Sequence, residues 1–150
     1  MSHERDACVF CEIVAGREPA SMVYRDELVC AFMDIQPVNP GHLLVIPLAH
    51  APYLSDLDTT VGERMFRVAQ RLAAAIRHSG IRCEGINFFL ADGVAAGQEV
   101  FHAHLHVFPR FGEDGFGLRH PPEYHSLPGR ASLEAIANAI RNASAHAPVA

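Results

Sequence analysis

Three histidines, at positions 102, 104 and 106, alternate with apolar residues in the segment Phe101-His102-Ala103-His104-Leu105-His106-Val107-Phe108-Pro109-Arg110. Side chains alternate between the two faces of a β-strand. A strand over His102–Phe108 therefore places the three histidines on one face and directs the small and aliphatic residues between them toward the core. The outer two imidazoles then stand about 13 Å apart, with His104 between them. Such a row offers several neutral ring nitrogens near physiological pH.

Three interpretations of this row compete. The first is structural, since a histidine on a sheet face often does no more than pack. The second is a metal centre built from all three rings, although no Asp follows the row closely to complete it. The third is covalent catalysis, in which one imidazole attacks phosphorus and its neighbours stabilise the developing charge. The loop Asp92–Glu99 favours the third, because its glycines let backbone N–H groups approach a phosphate and Gln98 adds a side-chain donor.

The rest of the chain predicts an α+β fold with a mainly antiparallel sheet of about five strands. Strand-like runs come before and after one long helix, without the regular alternation of strand and helix that parallel sheets require. The runs are Met22–Tyr24, Leu28–Met33, His42–Pro47, Ile86–Leu90 and His102–Phe108. Because Ile86–Leu90 is apolar on both faces, we expect it deep in the sheet or at a subunit contact.

Two helices are predicted from apolar residues at helical spacing. The long helix starts near Thr60, where Thr60–Glu63 has the form of a capping box, and it ends at Gly80. The second begins near Ser132. The two stripes, both interpreted as core faces, are Met65, Val68, Leu72 and Ile76, and Leu133, Ile136, Ala137 and Ile140. The segment Arg110–Arg130 between them predicts an irregular surface loop.

Length and charge restrict the classes of function. With 150 residues the chain fits one domain, and a net charge of −5 without any Lys/Arg run disfavours a nucleic acid polymer as partner. The N-terminus lacks the apolar core of a secretory signal, and no apolar run is long enough to span a bilayer. We therefore expect a cytoplasmic protein with no membrane partner and with reduced cysteines, in which Cys8 and Cys11 form a metal or redox pair.

Several motifs together resemble those of the histidine-triad (HIT) family. Gly97-Gln98 followed by His-x-His-x-His and Pro109-Arg110 is similar to the family's signature. The stretch from Ala31 to Pro47 resembles its second signature, Cys8-Val9-Phe10-Cys11-Glu12-Ile13 resembles its opening, and Asp114-Gly115-Phe116-Gly117 is similar to the tail of bacterial members. The resemblance implies a single HIT domain over residues 1–150, with a core of about 8–110, a C-terminal loop and helix at 111–146, and a homodimer.

The resemblance also implies an activity and a site. The chain is expected to act on the α-phosphate of nucleoside phosphoramidates or dinucleoside polyphosphates through a nucleotidyl-histidine, with a purine preference. His104 would be the nucleophile, His106 a donor to phosphate oxygen and His42 a supporting histidine. Gln98 and the backbone at Glu99 would line the phosphate site. The base and ribose would contact Phe10, Ile13, Phe32, Asp34 and Ile35, and a carboxylate is a suitable partner for ribose hydroxyls.

Two departures from the family pattern favour an alternative, a non-catalytic purine-nucleotide-binding or sensor protein. Ala91 stands where relatives carry Asn or Gln near the phosphate, and Glu99 replaces a Ser or Thr, where a carboxylate repels phosphate unless it faces away. The resemblance to bacterial members further implies a structural zinc. Its ligands would be Cys8, Cys11, His50 and His102, a closed set of two thiolates and two imidazoles. The alternative is reduced thiols packed without a metal.

Overall fold

A computed structural model describes residues 8–147. In chain order its elements are α1 (Val9–Val14), β1 (Met22–Arg25), β2 (Val29–Met33), β3 (Leu43–Pro47), α2 (Thr59–His78), β4 (Gly85–Phe89), β5 (Leu105–Arg110) and α3 (Arg130–Ser144). Short 3₁₀ turns lie at Leu54–Asp56 and Val94–Ala96. Among residues 8–147, no helix combines the length and the apolar character needed to cross a membrane.

The five strands form one antiparallel sheet, which confirms the α+β prediction. Their order is β1-β2-β3-β5-β4, so β5 lies between β3 and β4. In this register His106 of β5 stands beside Leu44 on one side and Phe89 on the other. Within the described part of the chain β4 pairs only with β5 and therefore forms an edge of the sheet. An interior position for Ile86–Leu90 is thus wrong, and the subunit contact stays a prediction.

Both faces of the sheet are covered by apolar side chains. On one face α2 packs against alternate residues of β2, β3 and β5, including Val29, Val45 and Val107. On the other face α1 places Phe10 against the intervening residues, which are Cys30, Phe32, Leu44 and Ile46. His106 alternates with Leu105 and Val107 along β5, so it lies on the α1 face.

Three local expectations were wrong. The long helix begins at Thr59, because the Asp58 carboxylate caps it by accepting from the Thr60 N–H at 2.9 Å, so Thr60–Glu63 is not its capping box. Strand β5 begins at Leu105, since the Ala103 N–H donates to the Ala51 carbonyl at 2.7 Å instead of joining the sheet. His102 and His104 therefore precede the strand.

The C-terminal stripe is the third difference. Of the described residues, 8–114 form one compact unit and 115–147 form another. None of the residues of α3 is buried, and Leu133, Ile136 and Ile140 are 39%, 60% and 64% exposed. The described part of this unit contains one helix and no strand, so it offers the stripe no core of its own to enter.

Candidate active site and metal centre

Four of the polar residues singled out from the sequence meet on the α1 face of the sheet. Asp34 follows β2 and His42 precedes β3, and the Asp34 N–H donates to the His42 carbonyl at 3.0 Å. His42 Nε2 lies 2.9 Å from His106 Nδ1 and 3.4 Å from a carboxylate oxygen of Asp34. The His104 ring centroid is 4.9 Å from that of His106. The hairpin of β2 and β3 and the start of β5 thus bring four side chains together: Asp34, His42, His104 and His106.

The hydrogen bonds fix which nitrogen of His42 and His106 carries the proton. The Val38 N–H donates to Nδ1 of His42 at 2.9 Å, so the proton of a neutral His42 ring is on Nε2. That N–H donates to Nδ1 of His106, which leaves the proton of His106 on Nε2. Burial lowers the pKa of His42 despite the opposing charge of Asp34, and burial lowers the pKa of His106 to about 4. Both rings are therefore neutral near pH 7, and His106 presents an N–H donor.

His104 has the opposite tautomer. Its Nδ1 lies 2.7 Å from the carbonyl oxygen of His102, and because a carbonyl can only accept, Nδ1 carries the proton. No residue within 8–147 hydrogen-bonds Nε2 of His104. Among the described residues, every side-chain nitrogen or oxygen that is shielded from solvent has a hydrogen-bond partner. Since Nε2 of His104 has none, this atom is accessible to solvent, although the residue as a whole is only 8% exposed. The ring is held at one nitrogen and offers a lone pair at the other.

Asp34, His42 and His106 also lie close enough together to be considered as metal ligands. Nε2 of a neutral His42 holds a proton, since Nδ1 accepts from the backbone, so that nitrogen has no lone pair for a metal. Nδ1 of His106 already accepts the hydrogen bond from this Nε2–H. The arrangement is therefore a hydrogen-bonded chain of side chains. The three triad histidines bond to different partners, which disfavours one metal bound by the whole triad.

The glycine loop before the triad is held by Gln98. Gly93 and Gly97 have φ of 98° and 89°, values that favour glycine at both ends of the 3₁₀ turn. The Gln98 amide, 4% exposed, donates to the carbonyls of Pro52 and Val100 and accepts from the Gly93 N–H. Both amide hydrogens are engaged, so the Gln98 side chain orders the loop and is not the free phosphate donor that the sequence suggested.

Glu99, unlike the buried Gln98, is exposed to solvent. Its side chain is exposed and forms no hydrogen bond or ion pair with a residue of the described chain. Its backbone N–H likewise has no protein acceptor within that range. The main chain at Glu99 therefore has an unused donor, while the carboxylate is exposed to solvent. Ala91 is 5% exposed and contributes no polar group.

A second group of donors lies at the other end of the histidine segment. Nδ1 of His102 is 3.5 Å from Cys8 Sγ and 3.6 Å from Cys11 Sγ, and Nδ1 of His50 is 3.3 Å from Cys11 Sγ. The ligand atoms of these four residues all lie within 4.8 Å of one another. A tetrahedral zinc with ordinary bond lengths separates its sulfur and nitrogen ligands by about 3.5 Å. The group predicted from the sequence is assembled, and its spacing fits zinc.

The surroundings of His102 also suit a ligand. Its Nε2–H donates to the Pro47 carbonyl at 2.8 Å, so Nδ1 is left with its lone pair toward the thiols. Burial lowers the pKa of His102 to about 4, which keeps the ring neutral. The Cys11 N–H approaches Cys8 Sγ at 3.5 Å. A cavity of about 560 Å³ opens beside the group, with Cys8, His50 and Glu99 in its wall.

The residues expected around a base and ribose are only partly brought together. The rings of Phe10 and Phe32 meet edge to face at 5.5 Å, and Phe10 also contacts the His104 ring at 5.2 Å. Ile13 packs against the same apolar cluster. Asp34 Oδ1 accepts from the Gln36 N–H, which leaves Oδ2 near the histidines. Ile35, in contrast, is 95% exposed and packs against none of them.

Two aromatic neighbours of the histidines were not identified from the sequence. The ring centroids of Phe108 and His42 are 4.8 Å apart, and those of Phe89 and His106 are 5.7 Å apart. Phe108 could have been found, because it follows His106 by two residues and therefore shares its face of the strand. Phe89 could not, since its place beside His106 depends on the register between β4 and β5.

Known proteins resemble this chain throughout the region just described. The sequence model of the HIT domain matches residues 15–113. An uncharacterised HIT-like protein of Borreliella burgdorferi is 44% identical over 113 residues, which cover 75% of this chain and 81% of that protein. The adenylylsulfatase HINT3 of Arabidopsis thaliana is 33% identical over 121 residues, which cover 80% of this chain and 60% of that protein.

Solved structures resemble the fold as well. A HIT family protein from Bacillus anthracis has a TM-score of 0.84 at 39% identity, covering 92% of this chain and 97% of that one. A zinc-bound histidine triad family protein from Mycobacterium smegmatis has a TM-score of 0.72 at 44% identity, covering 79% and 85%. A histidine triad nucleotide-binding protein from Candida albicans has a TM-score of 0.82 at 25% identity, covering 93% and 99%.

Proposed function

Because the chain belongs to the HIT domain family, we propose that it is a nucleotidyl hydrolase or transferase that uses His104 as its nucleophile. The observation that carries this proposal is the state of the His104 ring. Its Nδ1–H is held by the His102 carbonyl while Nε2 has no partner in the described chain and is open to solvent. A neutral imidazole in this tautomer is an activated nucleophile. The substrates are nucleoside phosphoramidates or dinucleoside polyphosphates.

The reaction has two displacements at the α-phosphorus. Nε2 of His104 forms a bond to phosphorus, the bond to the leaving nitrogen or oxygen breaks, and the leaving atom takes the electron pair and a solvent proton. The His104 ring becomes positively charged, and its Nδ1–H hydrogen bond to His102 strengthens. The Nε2–H of His106 and the free backbone N–H of Glu99 stabilise the phosphoryl oxygens. The oxygen of a water molecule then bonds to phosphorus and loses a proton to solvent, while the electron pair of the broken nitrogen–phosphorus bond returns to Nε2 and restores the neutral ring.

A nucleoside would lie over the α1 face of the sheet. Oδ2 of Asp34 is available to accept from ribose hydroxyls, and Phe10, Ile13, Phe32 and Ile35 would surround a purine base. The name of the Candida albicans relative, a nucleotide-binding protein, supports this assignment. The name of the Arabidopsis relative, an adenylylsulfatase, supports hydrolysis of a bond to an adenylyl group.

The proposal includes a structural zinc held by Cys8, Cys11, His50 and His102. The zinc-bound relative from Mycobacterium smegmatis and the sulfur-to-nitrogen distances of 3.3–3.6 Å support it. Such a closed four-ligand site stabilises the fold. A homodimer in the cytoplasm completes the proposal. The edge position of β4 supports a subunit contact there, because Phe89 is 45% exposed and Phe66 of α2, whose ring contacts Phe88, is 52% exposed.

The second candidate is a nucleotide-binding or sensor protein without turnover. Two observations favour it: Ala91 supplies no polar side chain near the phosphate, and the exposed Glu99 carboxylate repels an anion. The two candidates differ in their covalent chemistry, because only the enzyme places a nucleotide on His104.

Intact-protein mass spectrometry distinguishes them. After brief reaction with an adenosine phosphoramidate and acid quenching, wild-type protein is expected to gain the mass of one adenylyl group. His104→Ala is expected to gain none, yet to bind adenosine monophosphate in a titration. Wild-type protein that binds the nucleotide without any adduct or turnover, on either phosphoramidates or dinucleoside polyphosphates, would identify the sensor.

A further inference from the structure

His104 contacts a candidate metal ligand, His102, through the main chain, and it contacts Phe10, which lies between two further candidate ligands. We propose that Phe10 and the His102 peptide position the nucleophile, so that metal bound by Cys8, Cys11, His50 and His102 controls the orientation and tautomer of the His104 ring. This inference rests on the proposed nucleophile and on the proposed zinc. It extends the role of the metal from holding the fold to setting the reactive state of His104.

The first contact runs through the main chain of His102. The ring of this residue faces both thiols with Nδ1, at 3.5 and 3.6 Å, while its carbonyl accepts the Nδ1–H of His104 at 2.7 Å. The other ring nitrogen is fixed to the Pro47 carbonyl. One buried residue is therefore a metal ligand through its side chain and the partner of the nucleophile through its backbone. A shift of this residue moves both.

The second contact is the ring of Phe10. It lies on α1 between Cys8 and Cys11, and Cys8 caps the helix through its Sγ. The ring meets His102 at 5.8 Å and 71°, and it meets His104 at 5.2 Å and 88°. Both are edge-to-face contacts, which depend on the orientation of the ring. Because two ligands flank Phe10 on a helix of six residues, metal binding fixes the rotation of α1 and therefore the direction of this ring.

The chemical consequence follows from the two tautomers of His104. With the proton on Nδ1, the lone pair is on Nε2 and can attack phosphorus. With the proton on Nε2, that lone pair is lost and the His102 carbonyl has no donor. Contacts that hold the ring against the His102 carbonyl therefore select the nucleophilic tautomer. Loosening Phe10 or His102 is expected to lower the rate of attack while leaving the residues for ribose in place.

The test compares zinc-loaded and chelator-treated protein labelled with ¹⁵N-histidine. Long-range ¹H–¹⁵N correlations report which nitrogen of His104 carries the proton, and His104→Gln assigns the signals. A titration with adenosine monophosphate gives affinity, and single-turnover adenylylation gives the rate of attack. The variant is Phe10→Leu, which keeps all four ligands. The control is Cys30→Ala, a buried residue of the same apolar cluster that is not a candidate metal ligand and hydrogen-bonds to no histidine of the described chain.

We expect the Nδ1–H tautomer alone in zinc-loaded wild type and a mixture after zinc removal, with adenylylation slower by about tenfold and affinity changed by less than about twofold. Zinc-loaded Phe10→Leu is expected to resemble stripped wild type in tautomer and rate. Since its ring contact is already lost, it should respond to zinc removal by a smaller factor than wild type does. Cys30→Ala should behave as wild type in every comparison.

Identical tautomers and rates in loaded and stripped wild type would overturn the inference. So would a Phe10→Leu protein that loses the same factor as wild type on stripping. If stripped protein unfolds, the loaded forms of Phe10→Leu and Cys30→Ala decide, and equal tautomer populations in these two refute the coupling. If wild type forms no adduct at all, the proposed function fails, whereas the tautomer comparison still tests the coupling.

Discussion

His42 offers a matched pair of substitutions that separates its two hydrogen bonds. Its Nδ1 accepts from the Val38 N–H, and its Nε2–H donates to Nδ1 of His106. An Asn side chain ends at about the position of Nδ1, and a Gln side chain ends at about that of Nε2. His42→Asn therefore keeps the bond to Val38 and loses the donor to His106. His42→Gln keeps a donor in reach of His106.

The expected cost of His42→Asn follows from the burial of this contact. His42 is 3% exposed, so water does not readily replace the lost donor. A buried acceptor left without a partner costs about 1–3 kcal/mol, which equals about a 5- to 150-fold loss in rate if it falls on the transition state. The loss arises because His106 is no longer restricted to the tautomer with its proton on Nε2.

The assay is single-turnover adenylylation, with thermal unfolding to confirm that both variants are folded at the assay temperature. His42→Gln is expected to retain most of the wild-type rate and His42→Asn to lose the factor given above. Equal rates for two folded variants would refute the reasoning, because they would mean that the proton on His106 is not set by His42.

Three further predictions concern the metal ligand Cys8, the hydrogen-bonded carboxylate of Asp26 and the exposed carboxylate of Glu99. Cys8→Ser should lower both the zinc content, measured by metal analysis, and the melting temperature; unchanged zinc would contradict the four-ligand site. Burial favours protonation of Asp26, but hydrogen bonds from Leu28, Val29, Tyr24 and Arg64 outweigh it and lower its pKa to about 2 from 3.8. Because the pKa of Asp26 is lower in the folded than in the unfolded state, its ionisation stabilises the fold at pH values above the unfolded-state pKa. This stabilisation is lost as the pH falls from about 4 toward 2. The stability difference between wild type and Asp26→Asn, from urea unfolding, should therefore narrow by about 1 kcal/mol between pH 6 and pH 3, and a constant difference would show that Asp26 is not the group that titrates. Glu99→Gln should tighten adenosine monophosphate binding by up to about fivefold at low salt. The exposed Glu63→Gln of α2 has the same charge change and should have no effect; an equal gain in both would point to net charge alone.

The histidine spacing and the flanking motifs were sufficient to predict most of the polar side chains that the fold brings together. The alternation around His106, the hairpin that carries Asp34 and His42, and the four metal donors all depend on local patterns and on the resemblance. The sequence could not give the tautomers, because these depend on backbone groups such as the Val38 N–H. Nor could it give the start of β5, which depends on a contact between Ala103 and the distant Ala51.

Two other differences have physical causes that no single segment contains. Gln98 looked like a phosphate donor because its loop is rich in glycine, but its amide is used by carbonyls that the fold brings beside it. The apolar stripe of α3 resembles that of α2, and periodicity alone does not distinguish a stripe that meets a sheet from one that stays exposed. Amphipathicity identifies the helix and not what it packs against.

Every ring proton assigned in the histidine cluster depends on a main-chain group: the Val38 amide for His42 and through it His106, the Pro47 carbonyl for His102, and the His102 carbonyl for His104. Amides and carbonyls do not titrate, and side-chain substitution does not remove them. Sequence drift around the cluster can therefore change its charge without removing any of these main-chain partners. At position 38 proline is the exception, because it has no amide hydrogen to donate.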